Sequence, residues 1–445
     1  MASKDLTTTR PRISIAGAGI GGLSAALALH ERGHEAALFE SAPEIVPLGV
    51  GINVQPTAIA ELSRLGLADQ LARIGVATQA HRYVDHRGRT LWTEPRGIAA
   101  GHDYPQYSVH RGHLQMMLLD AVTERLGPGA VHSDARLSNI SGSGETAIQL
   151  TVVNSDGRSR TLDTDVLVGA DGLHSTVRRW LHPDEAPVSV AGTTMWRGLA
   201  DLPYTFLDGV TMIIANDGTG TRLVAYPCSE QANAEGRTLL NWVCLTPSDR
   251  RSPSEDERTG LVNALAEWNF DWFDLTELAA RSPQVSVYPM VDRDPLSHWG
   301  SGRVTLLGDA AHPMYPIGAN GASQAIIDAG ALAECFTRAT DPVSALRSYE
   351  AMRIIPTTSI VEANRAMNES EKKTASRAGD PAAAPAPRLR EITTEYRTVV
   401  DRSTTVKPAR RTRRTASRDH AELRGAPDSR SAPRCRLRAV SRPIR

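Results

Sequence analysis

Arg12-Ile13-Ser14-Ile15-Ala16, then Gly17-Ala18-Gly19-Ile20-Gly21-Gly22, then the apolar run from Leu23 to Arg32 decide the fold of this 445-residue chain. The β-branched segment reads as a strand, and Leu23, Ala26, Leu27 and His30 recur at helical spacing. Gly33-His34 ends that helix, and Glu35-Ala36-Ala37-Leu38-Phe39 reads as a second strand closing at Glu40. Each glycine of Gly17-x-Gly19-x-x-Gly22 has a physical task. Gly17 permits a tight turn, Gly19 lets backbone approach a pyrophosphate, and Gly22 lets the helix lie close on the sheet. The helix N-terminus offers unpaired N–H groups to the anion. Glu40, 18 residues beyond Gly22, stands where a carboxylate can accept a hydrogen bond from a ribose hydroxyl. Together these features predict a dinucleotide site.

Working outward, 445 residues suffice for two domains with substantial cores. Apolar residues at 41% and charged ones at 22% are ordinary for a globular protein. The formal net charge of zero conceals an asymmetry: residues 401–445 carry 14 basic and 4 acidic side chains, net +10, leaving the first 400 at −10. Cys228, Cys244, Cys335 and Cys435 form no CxxC and no metal-ligand spacing, so reduced thiols in a cytoplasmic protein are expected. The stretch Ile13 to Leu29 is interrupted by glycines and used by the dinucleotide fold, so it is not read as a signal peptide. No other run approaches a membrane span.

Along the chain, Gly49-Val50-Gly51 precedes an apolar segment, as expected where backbone passes a flat ligand; a simple turn is the other reading. A helix is expected from Pro56 to Leu65, a hairpin over Arg82 to Trp92, and a helix from Leu114 to Arg125. Asp165 to Gly169 and Val304 to Leu307 read as buried strands ending in the polar turns Gly169-Ala170-Asp171-Gly172 and Gly308-Asp309. Strand patterns dominate from Thr193 to Val287, and long helices are expected from Gly321 to Thr337 and from Pro342 into Ala366. The periodicity fades beyond Glu371, and the Arg/Ser/Ala/Pro-rich end cannot bury enough surface to offset its ordering entropy.

Three strand-to-turn segments therefore stand out, and a parallel sheet would bring their C-terminal ends to one edge. They are Gly17 to Gly22 with Glu40; Gly169-Ala170-Asp171-Gly172 with Ser175, Val177 and Arg178; and Gly308-Asp309-Ala310-Ala311-His312-Pro313 with Pro316, Gly318, Asn320 and Gly321. In this order they resemble the aromatic-ring hydroxylases, FAD-dependent monooxygenases with the p-hydroxybenzoate hydroxylase fold. Gly49-Val50-Gly51, His110-Arg111-Gly112 and Met195-Trp196-Arg197-Gly198 are similar to the phenazine- and salicylate-hydroxylase branch.

The resemblance implies an α/β fold: a Rossmann-like FAD-binding domain over 10–80, 108–185 and 286–370, with an inserted, mostly antiparallel β-sheet substrate domain over 81–107 and 186–285. A low-complexity, disordered basic tail is expected over 374–445. It implies bound FAD, with NAD(P)H as co-substrate and O2 as oxidant, hydroxylating an aromatic small molecule through a flavin hydroperoxide. Gly17, Gly19, Gly22, Glu40, Val50, Gly51, Arg111, Asp171, Gly172, Asp309, Pro316, Gly318, Asn320 and Gly321 are the implied cofactor residues. Glu40 is expected on the adenosine ribose, Arg111 near the pyrophosphate or ring, and Gly318 to Gly321 at the flavin's pyrimidine edge. Arg197, Tyr226 and Tyr315 are the candidates on the substrate side, with no metal site.

Bland readings stand beside these. Asp171 equally suits capping the helix that begins near Ser175, Arg111 a surface ion pair, His312 a structural hydrogen bond, and Trp196 and Trp242 the sheet core. The alternatives for the whole chain are a reductase or epoxidase on the same fold, or a non-enzymatic flavoprotein with a nucleic-acid-binding tail. No specific nucleic acid is expected, since the tail lacks interleaved aromatics after Tyr396. A monomer or homodimer is expected.

Overall fold

The strand Ile13–Ala16 is central in a five-stranded sheet in the order Val304–Leu306, Val166–Gly169, Ile13–Ala16, Ala36–Phe39, Val131–His132, parallel throughout. The computed structural model describes residues 10–142, 148–248, 256–376 and 386–404. Every residue of Ile13–Ala16, Val166–Gly169 and Val304–Leu306 is buried, because helices cover both faces of a parallel sheet. This explains why these strands read as unbroken apolar runs. Helix Ile20–Glu31 packs against helix Gly321–Arg338, and their apolar sides join the sheet in the main core.

A second sheet has seven strands in the order Val285–Asp292, Ser189–Leu202, Thr238–Pro247, Arg222–Pro227, Thr211–Asn216, Ala80–Asp85, Thr90–Pro95. Its pairs are antiparallel except Thr211–Asn216 with Ala80–Asp85. Side chains alternate in period two. Trp196, Leu223, Ile213 and Trp242 face a core beneath the sheet, and the residues between them face a cavity. Trp196 and Trp242 are core residues whose indoles donate to Thr246 Oγ1 at 3.1 Å and Ser282 Oγ at 2.9 Å.

Cys228, Cys244 and Cys335 are buried and free, while Cys435 lies outside the described residues. No helix among the described residues is long and apolar enough to cross a membrane.

The structure corrects the expectation of a disordered tail starting at 374. Helix Pro342–Ser376 runs on past that point, and Ala386–Thr404 is a further helix. Ile392, Tyr396 and Val400, spaced four apart, form one apolar stripe that docks on Met195, Tyr315, Ile317 and Ile360. The stripe is hidden in the sequence by the charged and polar residues around it. The remainder of the expected tail, 405–445, lies outside the described residues.

Candidate cofactor and substrate site

Strand register places the site. Ala16 pairs with Gly169 and with Phe39, and Gly169 pairs with Leu306. The turns that begin at Gly17, Ala170 and Leu307, together with Glu40, therefore leave the sheet side by side. Gly17 has φ +96, and a Cβ there would lie 2.5 Å from the Ala170 carbonyl oxygen. A Cβ on Gly22 would lie 2.1 Å from the Gly17 carbonyl oxygen, whereas one on Gly19 meets nothing within 4 Å. Gly17 and Gly22 thus close the turn, and Gly19 borders the open cavity. Helix Ile20–Glu31 has no side-chain cap and no acid in its first turn, so its N-terminal amides face an anion site uncompensated. Glu40 accepts the Ala18 N–H at 2.8 Å and the Ala42 N–H at 2.9 Å, which leaves acceptor capacity for hydroxyls.

The second and third turns are tied by Arg178. This buried guanidinium donates to the carbonyls of Ala310 at 3.0 Å and Ala311 at 2.8 Å, and pairs with Glu185. The third turn is held from below by Asp328. That carboxylate accepts from Gly308 N at 3.0 Å, His312 Nε2 at 2.6 Å and Arg353 Nε at 2.6 Å. His312 is a structural hydrogen-bonder, as the blander reading had it. Asp309 is exposed to the cavity with protein packed around it. Desolvation pushes its carboxyl up, while His312 and Arg111 pull it down. Helix Gly321–Arg338, which begins directly after the Pro316–Asn320 turn, also lacks a side-chain cap and an early acid. Gly318 has φ +72, and Pro316, Gly318, Asn320 and Gly321 border the same cavity as Asp309 and Gly172.

Asp171 lies at the start of the helix that follows it. Its carboxylate accepts from Ser175 Oγ and from the Thr176 N–H at 2.7 Å, starting helix Thr176–Leu181, and its neighbours Ala170 and Gly172 border the cavity instead. The capping alternative accounts for it. Val50 holds the start of helix Arg111–Leu126 through its carbonyl, which accepts from Arg111 N at 2.9 Å, and is not among the cavity-lining residues. Gly51 borders the cavity, and its close approach is to protein: a Cβ there would lie 2.5 Å from Asn241 Cβ and 2.9 Å from the Tyr226 ring. Arg111 lines the cavity and makes no ion pair among the described residues, its charge felt by Asp309 and Arg197.

The cavity holds about 640 Å³, within the range for small-molecule sites. Arg197, Tyr226 and Tyr315 all line it. Burial lowers the Arg197 pKa, and the Arg197 Nε is buried with no hydrogen-bond partner. Burial also holds the Tyr226 and Tyr315 phenols above their ordinary values, so both are neutral at physiological pH. Residues absent from the sequence reading complete the wall: His81, Arg96, Arg222, Tyr396 and Arg397. Burial, then Arg96, Arg397 and Arg222, keep His81 well below its usual pKa and neutral. Arg96 donates to Gln106 Oε1 at 2.9 Å and Gln55 Oε1 at 3.4 Å and feels the Asp401 carboxylate, while Arg397 pairs with Glu94. Period-two alternation back from Tyr226 would have found Arg222; no local signal marks the others.

The family described as FAD binding domain matches residues 11–363 of the chain. A phenazine 1,6-dicarboxylic acid hydroxylase of Lysobacter antibioticus is 52% identical over 407 residues, covering 89% of this chain and 99% of that protein. The chain belongs to the FAD-dependent aromatic-ring monooxygenases. A 3-hydroxybenzoate 6-hydroxylase of Aquipseudomonas alcaligenes is 32% identical across 78% of this chain and 85% of its own length. The solved Klebsiella pneumoniae HpxO, complexed with FAD and uric acid, superposes with a TM-score of 0.73 at 26% identity, covering 88% of this chain and 97% of its own.

This monooxygenase's own residues fit FAD. The bare helix start beside Gly19 suits the pyrophosphate, Glu40 the ribose, and Asp309 offers the cavity a carboxylate that accepts no hydrogen bond among the described residues. Asn320 Oδ1 is buried and unpartnered, an acceptor available to an N–H on the cofactor.

Proposed function

We propose that this monooxygenase hydroxylates a planar aromatic acid, with NAD(P)H as reductant and O2 as the oxygen source. The charge of the cavity carries the reading. Arg96, Arg197 and Arg222 line a slot whose floor is Tyr83, Met212, Ile214 and Val224. The Arg197 Nε is buried with no hydrogen-bond partner among the described residues, and an anionic ligand relieves the cost of such a buried donor. Arg197 pairs with Val243, and Val243 with Val224, two residues from Arg222. The Cα atoms of Arg197 and Arg222 thus stand about 12 Å apart across the sheet, and two cations on one face of it suit a multi-ring acid or a diacid. The relative named for phenazine 1,6-dicarboxylic acid makes that compound the first candidate, and 3-hydroxybenzoate a smaller comparison.

FAD, when bound, supplies the redox chemistry: hydride is taken from the nicotinamide, and one atom of O2 goes to the ring while the other leaves as water. The protein binds the carboxylates through its arginines, orients the ring on the apolar floor, and excludes water with Met195, Val243 and Leu245. The neutral Tyr226 phenol, buried in the cavity wall, is placed to orient a ring substituent. In this reading the parallel-sheet segments 10–80, 108–185 and 286–370 hold the cofactor, and segments 81–107 and 186–285 hold the substrate.

The test is consumption of NADH or NADPH and of O2 by the purified yellow protein against a panel of aromatic acids and their decarboxylated analogues, with labelled O2. Acid-stimulated turnover with one labelled oxygen in the product is expected. A colourless protein that FAD cannot reconstitute, or a product without label, overturns it; the latter outcome is that of a reductase.

A further inference from the structure

We propose that Tyr396, carried by helix Ala386–Thr404, is a positioning residue for the Ile317–Asn320 turn and makes this helix part of the FAD site. The Tyr396 hydroxyl accepts from Asn320 Nδ2 at 2.5 Å and donates to the Ile317 carbonyl at 3.1 Å. A phenol has one proton to give. Since that proton goes to Ile317, Asn320 must present its NH2 group to the phenol oxygen. The orientation of the Asn320 amide is thereby fixed, and its Oδ1 is left as a buried acceptor at the cavity wall.

The same hydroxyl shapes the turn's backbone. A Cβ on Gly318 would lie 2.0 Å from the Tyr396 oxygen, so the phenol occupies the space that any other residue would need. Gly318 takes φ +72 there, which turns the chain between Ile317 and Asn320 immediately before the uncapped start of helix Gly321–Arg338. Tyr396 thus braces both sides of the turn, and the turn sets where the amides of that helix point. Burial keeps the phenol above its ordinary pKa, so the donor persists through the alkaline range. Arg397 and Thr393, on the same helix, border the cavity. A segment that reads as the start of a tail is in this view one wall of the cofactor site.

The experiment compares Tyr396→Phe with Ile392→Ala in the full chain. Tyr396→Phe keeps the ring packed and removes only the bridging oxygen. Ile392→Ala loosens the docking of the same helix and leaves the bridge intact. Three readouts are needed: the FAD dissociation constant from flavin fluorescence, the absorption spectrum of bound flavin, and the thermal midpoint of the apoprotein. For Tyr396→Phe, FAD affinity is expected to fall about fivefold with a shifted spectrum, alongside the modest midpoint loss of a buried hydrogen bond. Ile392→Ala is expected to lower the midpoint and leave the spectrum as in the wild type. Wild-type affinity and spectrum in Tyr396→Phe overturn the proposal. So does an Ile392→Ala variant showing the same spectral shift, which would make the helix merely structural.

Discussion

Asp328 accepts the Arg353 Nε–H at 2.6 Å, and both side chains are fully buried. The pair lies beneath the third turn, and its second carboxylate oxygen holds the Gly308 N–H and His312. A buried ion pair broken on one side leaves an uncompensated charge. Asp328→Asn is therefore expected to destabilise the fold by about 3–5 kcal/mol, measured by denaturant unfolding. FAD affinity falls in the same variant, because Gly308-Asp309 loses its support.

The same carboxylate gives a pH dependence. Burial alone would raise its pKa, but His312 and Arg353 outweigh that and hold it at about 2, below the ordinary 3.8. A depressed carboxylate stabilises the fold above its unfolded value, and the contribution is lost as pH falls through the folded one. Wild-type stability is expected to drop between about pH 4 and pH 2, with a shallower slope over that window in Asp328→Asn. Denaturant midpoints at stepped pH measure both slopes.

Gly19→Ala and Gly22→Ala separate ligand contact from packing. A Cβ at 22 collides with the Gly17 carbonyl, so that variant loses apoprotein stability. A Cβ at 19 meets no protein within 4 Å, so Gly19→Ala leaves the apoprotein stability within about 1 kcal/mol of wild type while weakening FAD binding. Thermal unfolding of the apoprotein and a flavin titration distinguish the two.

Glu40→Gln keeps an acceptor for the Ala18 N–H and removes the charge. Loss of charge-assisted bonding to the ribose is worth about 1.5–3 kcal/mol, so FAD binding is expected to weaken ten- to a hundredfold. Equilibrium dialysis with FAD and with FMN checks it, since FMN has no adenosine ribose and its binding stays unchanged.

Arg222→Met is expected to raise KM for an aromatic acid about tenfold or more, with FAD affinity unchanged. The decarboxylated analogue shows no such change. Steady-state NAD(P)H oxidation with both compounds measures the contrast.

The cofactor edge was legible because its signals are local. Glycine spacing, an apolar strand and an acid at a strand end each depend on a few neighbouring residues, and Gly17 to Glu40 meets them all. The helix starting at Gly321 and the hairpin of Ala80–Asp85 with Thr90–Pro95 were legible for the same reason. The substrate side was legible only where a pattern carried it: Arg197, Tyr226 and Tyr315 line the cavity, yet Arg96, Arg222 and His81 went unread. They meet through the register of strands distant in sequence and through the loop after the hairpin. Asp171 is a motif residue whose carboxylate also serves the chain itself, accepting from Thr176 N at 2.7 Å.

The sequence by itself determined the class of ligand, because a pyrophosphate demands close backbone, bare amides and a nearby acid, and those demands are written within forty residues. Only the tertiary structure decided which charges share the cavity and which helix closes it. Arg222 reaches the site through pairing with Leu245 and Asn216, and Tyr396 through a stripe at 392, 396 and 400 that docks on a core assembled from five other segments. Burial of that stripe depends on surfaces that exist only once the chain has folded.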